Sequence, residues 1–537
     1  MTSRKRNRCM PAGSTCQSLL FAAILWLVAA SALAQSPPTY FSQAPENFTT
    51  NSHIVSTTVF TWFDANAGQQ SGPWAPLEGR AAWDGSPAFW QDQVKQMMSA
   101  NIDVLYVHLI PEYDTERTNL FQALNQLRSQ GYDVPKVAPF LDPLITWDGQ
   151  PNVNLATTAG KDAFVGQYTR FFNEYYSVNQ DSAADSYLAQ MNGRVQLDTW
   201  HVKFNTDNFT SLTRSDVESR LSTAFSAAHP VFNHGIYMVT TALNPPTLTF
   251  ADEQIPQFEV TAYNSTVTYN NYTATQLKAG YWDQNVRNPG SQLPRDGGTH
   301  YTAAWNQVLA NPAVHHVNIE SWNEYDEGSG IYRANPGPPF LNPGSGNTGT
   351  DTWSTTNDPL QYIKATAAGA QKFNDTPDRD AQILSHNFPT IMKPGQVIDA
   401  SILVRNMGDI SWTAASQFKF GQQEFRPGEG MFGAGRFLLD DTQNETSVYG
   451  GIFRGRPVTF QIHLVAPTTP GTYLTHWSML QENVAWFGQE LDWTFQVVPE
   501  PSSLVLAAMG LVALVGRVVI RRRRVEKVSG TDSRIVF

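Results

Sequence analysis

Cysteine is all but absent. The chain of 537 residues has two, Cys9 and Cys16, and both lie within the first 34 positions. The remainder can form no disulfide, thiolate nucleophile or cysteine metal site. Its stability must come from a buried core, and the length is ample for two domains. Other patterns are missing too. There is no H-E-x-x-H pair, which argues against catalytic zinc, and no G-x-S-x-G elbow of a serine hydrolase. No glycine-rich phosphate loop follows the first strand, which argues against a nucleotide-binding doubly wound sheet. No cofactor is expected. Positive charge is in deficit, 36 Lys and Arg against 47 Asp and Glu. Many of the basic residues sit at the two ends, so the part between is more acidic than the total. That balance argues against nucleic acid and against a polyanionic substrate.

What the chain does have begins with its ends. Arg4, Lys5, Arg6 and Arg8 precede an apolar run from Ser18 to Ala34, which closes on Ala32-Leu33-Ala34 ahead of Gln35. This is the order of a secretory signal peptide, expected over 1–34. Cys16 lies before the apolar run and not at its end, which does not fit a lipoprotein. At the other end, Pro499-Glu500-Pro501 is followed by an apolar stretch, Leu504 to Ile520, broken by Arg517 and closed by Arg521 to Arg524. Such a stretch reads as a membrane segment held by its positive flank, over 499–524, with a cytoplasmic tail at 525–537. The arrangement closely resembles the PEP-CTERM sorting signal of bacterial exopolysaccharide-associated proteins. That resemblance implies export to the cell envelope and processing by an exosortase-type enzyme.

Between the ends, two textures follow an exposed segment at 35–56. Over 57–375 strand-like and helix-like segments alternate. Thr58 to Asp64, Asp103 to Ile110, Lys136 to Leu141, Val195 to Phe204, Gly235 to Thr240, Gln257 to Ala262, Leu277 to Trp282 and His316 to Ser321 read as eight strands. Helices are expected over Phe89 to Ala100, Asn119 to Gln130, Ser215 to Ala228, Thr299 to Leu309 and Leu360 to Phe373, and an aromatic stripe from Phe164 to Tyr175 reads as core. This is the pattern of a (β/α)8 barrel. From Ala381 to Val498 the pattern changes to short alternating strands between turns, an all-β sandwich of immunoglobulin size. Trp412, Trp477, Trp486 and Trp493 fall in it, with Lys393-Pro394-Gly395 and Pro470-Gly471-x-Tyr473. The segment resembles the four-tryptophan Ig-like domain, which implies a spacer or contact module and not a catalyst.

In such a barrel the chemistry belongs at the C-terminal ends of the strands. Those ends carry Asp64, His108, Asp142, His201, Tyr263, Trp282 and Asp283, and the last leads into Trp322-Asn323-Glu324-Tyr325-Asp326-Glu327-Gly328. Acidic groups beside aromatic platforms suit sugar hydroxyls and sugar faces. Glu324 and Glu327 are three residues apart and can face the same mouth if the turn begins a helix. Glycoside hydrolysis needs two carboxyls, one protonated and one ionised. The run from Trp322 to Ile331 resembles the S-W/F-N-E-W-x-E-G-x-x-I motif of glycoside hydrolase families 99 and 71. Leu277 to Asp283 and Arg295-Asp296-Gly297-Gly298 are similar to those barrels in order and spacing. The resemblance implies that Glu324 assists the sugar 2-hydroxyl as base and that Glu327 is the general acid/base. Asp64, His108, Asp142, His201, Tyr263, Trp282, Asp283, Trp322 and Asn323 are then candidate substrate contacts. Tyr325 and Asp326 stand where family 99 has Trp and His. Two rivals remain open: a non-catalytic glycan-binding or matrix-structural protein on the same barrel, and another hydrolase using His108 or His201.

Overall fold

The structure is a computed structural model, and it describes residues 48–63, 71–181, 183–242, 248–257, 260, 262–287, 289–341, 349, 351–423, 436–439, 449–499, 512–515 and 517. The signal-peptide reading, Asp64 and nearly all of the C-terminal apolar stretch fall outside the described residues. Among the described residues no helix is long and apolar enough to cross a membrane.

Eight parallel strands form the first layer: Ile54–Val59 (β1), Val104–His108 (β2), Lys136–Leu141 (β3), Arg194–Trp200 (β4), Ile236–Ala242 (β5), Glu253–Pro256 (β6), Tyr272–Leu277 (β7) and Val314–Ile319 (β8). β1 is almost wholly β-branched and is buried at every position, as a strand covered on both faces must be. The strands pair in the order β7-β8-β1-β2-β3-β4-β5-β6. Neighbours in the chain therefore pair from β1 to β6 and from β7 to β8, with β8 beside β1 and the antiparallel strand Asn264–Tyr269 on the other side of β7. That cyclic order is a barrel-like sheet, and it puts all eight C-terminal ends at one mouth.

Among the described residues, six helices of more than one turn cover the outside: Pro87–Ser99 (α1), Asp114–Ser129 (α2), Thr158–Val178 (α3), Arg214–Phe225 (α4), Thr299–Leu309 (α5) and Gln361–Phe373 (α6). Their starts follow local chemistry. Ser86 caps α1 by accepting from the Phe89 N–H at 3.2 Å, with Pro87 as the first helical residue. Thr213 and Asp216 form a capping box at α4. Phe164, Tyr168, Phe171, Phe172 and Tyr175 of α3 are fully buried, as the stripe predicted. Gly369 lets α6 lie against the Trp305 ring of α5, in the space where a Cβ would overlap the indole. Gly369→Val should push the two helices apart and lower stability by about 1–3 kcal/mol, read as a lower urea midpoint at unchanged slope.

Three strand positions differ from the sequence reading. The first strand is Ile54–Val59, ahead of most of Thr58 to Asp64. The sixth strand is Glu253–Pro256, ahead of Gln257 to Ala262, and the seventh is Tyr272–Leu277, ahead of Lys278 to Trp282. In the last two the cause is a hairpin. Strand Asn264–Tyr269 runs antiparallel into β7 through Asn270 and Asn271, whose φ values of 49° and 63° are those of a tight primed turn. Tyr281–Trp282 then pairs with Gln292–Leu293 in a ribbon outside the main sheet.

The second layer system is a sandwich: Ala381–His386 (β9), Ile391–Met392 (β10), Val397–Asn406 (β11), Phe418–Gln422 (β12), Arg436–Leu438 (β13), Pro457–Val465 (β14), Gly471–Gln481 (β15) and Ala485–Val497 (β16). One sheet is β9-β11-β14 and the other is β10-β16-β15-β12-β13. Trp412, Trp477 and Trp493 fill the space between them, whereas Trp486 stays half-exposed with the Arg436 guanidinium over its ring. The sandwich packs on the loops that lead into β2 and β3, the end of the barrel opposite the mouth. Arg454 bridges Asp103 at 2.7 Å and Asp409 at 2.9 Å. The Asp133 N–H donates to the Gly455 carbonyl at 2.8 Å and Arg405 to the Gly131 carbonyl at 3.2 Å. Burial raises the Asp103 carboxyl, although Arg454 pulls the other way, and pushes Asp409 up to about 6. A cavity of about 350 Å³ lies at this junction, far from the strand C-termini.

Candidate active site at the barrel mouth

A cleft of about 520 Å³ opens at the C-terminal ends of the strands. Phe60, Trp62, Tyr113, Phe140 and Trp200 give it aromatic walls, and Glu112, Asp142, Glu320, Glu324, Asp326 and Glu327 give it carboxylates.

The segment after β8 is held from several sides. Asn323 clamps the end of β1, its Oδ1 accepting from the Phe60 N–H at 2.8 Å and its amide donating to the Phe60 carbonyl at 2.6 Å. Trp322 is fully buried and donates its indole N–H to Gln93 of α1 at 2.9 Å. The Glu324 N–H donates to Ser321 Oγ at 2.6 Å. Residues 325–328 then form a turn and not the start of a helix, because Gly328 sits at φ 58° and its N–H returns to the Tyr325 carbonyl at 3.1 Å. A Cβ on Gly328 would meet Pro73 Cγ at 2.6 Å. The result is that Glu324 and Glu327 both line the cleft, by way of a turn.

Their surroundings differ. Glu324 is 7 % exposed. Burial, with Glu327, Asp326 and Glu320 adding repulsion, pushes its carboxyl well above the usual carboxylate range, and Arg287 offsets only part of this. Glu327 is a quarter exposed, and its Oε1 accepts from Arg287 Nη2 at 2.7 Å. Arg287 also reaches Asp283 at 2.7 Å and the Tyr281 hydroxyl at 2.8 Å. Asp283 is buried, and its other oxygen accepts from the Ser291 N–H at 2.5 Å. Asp283 therefore acts on the site through Arg287 and does not line the cleft. Trp282 is buried behind the wall, and its backbone N–H donates to the Glu327 carbonyl at 2.8 Å.

The other sequence candidates divide. Asp142 lines the cleft and also caps the one-turn helix Pro143–Thr146, accepting from the Leu144 N–H at 2.9 Å. His108 is buried beneath Phe60, Trp62 and Phe140, with Asp142 at 3.6 Å. His201 is buried beside the cleft residues Trp200 and Gln257, and its Nε2 bonds Gln257 at 2.5 Å. Desolvation lowers the His201 imidazole, and the Gln257 bond opposes that. Tyr263 stacks on His300 and donates to the Pro294 carbonyl at 2.5 Å, away from the cleft walls. Trp322 and Asn323 are anchors.

Several site residues escaped the sequence reading. Glu320 follows β8 and pairs with Lys278 at 3.3 Å. Trp62 and Trp200 follow or end strands, which was the available signal for them. Arg287 carried no signal at all, since it lies in a loop whose path is set by the ribbon. Deeper in the barrel, Ser56 Oγ, His316 and Glu253 form a relay with distances of 2.7 and 2.5 Å. All three are buried and none lines the cleft, so the relay joins β1, β8 and β6 inside the sheet.

Residues 385–497 match the family of the "Ig-like domain from next to BRCA1 gene", and residues 497–524 match the PEP-CTERM protein-sorting motif. Among solved structures, the chain is similar to the GH99 endo-alpha-mannosidase from Bacteroides thetaiotaomicron, at 12% identity over 61% of this chain and 98% of that one, with a TM-score of 0.42. It is also similar to the β-glucuronidase from Parabacteroides merdae, at 7% identity over 83% of this chain and 48% of that one, with a TM-score of 0.30. A further likeness is to the endo-β-1,4-mannanase from Thermotoga petrophila, at 7% identity over 84% and 99% of the two chains, with a TM-score of 0.19. No curated protein matches.

Proposed function

We propose that the protein is an exported, envelope-sorted glycoside hydrolase on a (β/α)8 barrel, cleaving internal α-linkages of a polysaccharide laid across the mouth. The sorting motif supports the location. The observation that carries the reaction is the carboxyl pair: Glu324 and Glu327 line one aromatic-walled cleft in opposite environments. A buried carboxyl that keeps its proton near neutral pH can give it to a leaving glycosidic oxygen, and an ionised partner can act as base or nucleophile. In the free cleft burial favours the protonated form of Glu324, and Arg287 donates to the Glu327 carboxyl. This is the reverse of the roles implied by the motif resemblance. Asp283 and Tyr281 hold Arg287 and so position Glu327.

The test is release of reducing ends from α-mannans, α-glucans and the exopolysaccharide of the producing cell, by the wild type and by Glu327→Gln and Glu324→Gln. Loss in Glu327→Gln by about 10²–10⁴-fold is expected. An aryl α-glycoside with a good leaving group then separates the roles. It needs no proton, so it should rescue Glu324→Gln and not Glu327→Gln; rescue of Glu327→Gln alone would restore the roles implied by the motif. Binding of the glycans with no release by the wild type would favour a glycan-binding protein on the same barrel.

A further inference from the structure

The sandwich has two ends, and its strands run from one to the other. β11 starts at Val397 on the far tip and reaches the barrel at Asn406, whose carbonyl accepts from the Gly455 N–H at 2.7 Å, beside the Asp133 contact. The far tip gathers the ends of β10, β11, β14, β15 and β16. Val397 pairs with Val465, and both Gly471 and Met392 pair with Val497. The Val498 N–H donates to the Met392 carbonyl at 2.9 Å. The turns 393–396 and 466–470 close the tip. They are joined where the Ala466 N–H donates to the Gln396 carbonyl at 2.8 Å and the Gly395 N–H to the Pro467 carbonyl at 3.2 Å. The chain leaves the sandwich here, toward the sorting motif at 497–524.

Two properties mark this tip. It shows apolar side chains to water: Ile391 is 60 % exposed, Val397 62 % and Val498 37 %. It is also almost without charge. Over 387–398, 464–474 and 493–498 the sequence has one charged residue, Lys393, and no acid, in a chain with 47 Asp and Glu. Asp399, the first acid along β11, is paired with His463. Such a surface suits the interface of a bilayer, where apolar side chains enter the acyl boundary and a lysine meets headgroup phosphate. Five residues, 499–503, separate Val498 from the apolar run that starts at Leu504. Fully extended, that link spans about 20 Å. A membrane that takes up the run therefore lies within that reach of the tip, and so short a tether holds the exposed side chains at a high effective concentration near its surface.

We propose, resting on the reading of Leu504 to Ile520 as a membrane segment, that the tip of the sandwich is a lipid-contacting foot: Ile391, Val397 and Val498 sit in the headgroup layer of the phospholipid membrane that takes up the tail, with Lys393 on lipid phosphate. The sandwich then stands upright on the bilayer. β11 is ten residues long, about 33 Å of strand. It lifts the barrel clear of the surface, with the mouth turned outward.

The experiment uses the full chain, with Cys9→Ser and Cys16→Ser, in vesicles of phosphatidylethanolamine and phosphatidylglycerol. One new cysteine carries an environment-sensitive dye: Thr468→Cys on the tip, Gln461→Cys midway along β14, or Ser219→Cys on α4, all at exposed positions. Flotation reports whether the tail holds the chain on the vesicles. Quenching by lipids with a nitroxide on the headgroup reports contact. The dye at Thr468→Cys should lose about half of its emission or more, that at Gln461→Cys little and that at Ser219→Cys none, because only the first lies in the headgroup layer. Ile391→Glu with Val397→Glu, at side chains that face water in the fold, should restore most of the lost emission, since a carboxylate resists leaving water. A chain that floats with Thr468→Cys unquenched overturns the inference and leaves the membrane segment standing. Quenching that survives both substitutions overturns it as well, because the tether alone then makes the contact. A dye shifted to the blue without nitroxide quenching means that protein, such as a second copy, covers the tip, and also overturns it. A chain that does not float removes the membrane segment and the inference with it.

Discussion

Glu324→Gln should abolish turnover and at the same time make the protein harder to melt at neutral pH. The activity loss, about 10²–10⁴-fold, is that of a missing proton donor. The stability gain follows from linkage. The Glu324 carboxyl is raised in the folded state by burial first, then by Glu327, Asp326 and Glu320. A carboxyl raised on folding contributes nothing unfavourable below its unfolded pKa, where it is protonated in both states. As pH rises above that value the unfolded chain ionises and the folded one resists, so stability is lost until the folded pKa is passed. Each unit of separation costs about 1.4 kcal/mol above that window. Glutamine keeps the shape and cannot ionise, so it removes this cost, and a kcal/mol regained shows as roughly 2–4 °C. Thermal melts at pH 7.5 and pH 4 check it: the variant should gain at 7.5 and lose the gain at 4. A lower midpoint at both values would mean that Glu324 holds the turn together and is not a strained acid. Such an exchange of stability for function is common where an active site stores a disfavoured charge.

The second large effect is expected at the other end of the barrel. Arg454→Leu should destabilise the protein by about 3–5 kcal/mol at pH 7, the usual result of stripping one partner from a buried ion network. Arg454 is the cation between Asp103 on the barrel and Asp409 on the sandwich, and both carboxyls are raised by burial even with it present. Without it two carboxylates face each other with no counter-charge. The penalty should shrink as pH falls, beginning above the value of about 6 that Asp409 has with Arg454 lowering it, because neutral carboxyls need no counter-ion. Urea midpoints at pH 7 and pH 5 measure both parts. A pH-independent loss would assign the role of Arg454 to packing. The same contacts have a functional consequence. The sandwich is fastened to the end of the barrel away from the mouth, and the sorting motif follows the last sandwich strand. The cleft is thereby left uncovered by the module that leads to the envelope.

Local pattern in the chain was enough for most of the framework. The apolar runs of β2 and β3, the 3.6-residue stripes of α1 and α3, and the short alternating strands after Ala381 are each decided by neighbours a few residues away, which is where period and turn chemistry act. The motif from Trp322 to Ile331 also named two carboxyls that line the cleft. Other features depend on groups far apart in sequence. Asn270 and Asn271 are a legible turn signal, yet the shift of β7 that follows is fixed by pairing with Val314–Ile319. Trp322 and Asn323 look like ligand contacts in sequence and are anchors in space, because β1 and α1 offer them partners more than 200 residues away. The state of the carboxyl pair was not legible at all. It depends on Arg287, 40 residues from Glu327, and on how completely the folded walls remove water from Glu324. The sequence thus determined the periods, the turns and the presence of acidic groups at strand ends. Burial, charge pairing and register came only from the tertiary structure, because desolvation and Coulomb forces act through space and not along the chain.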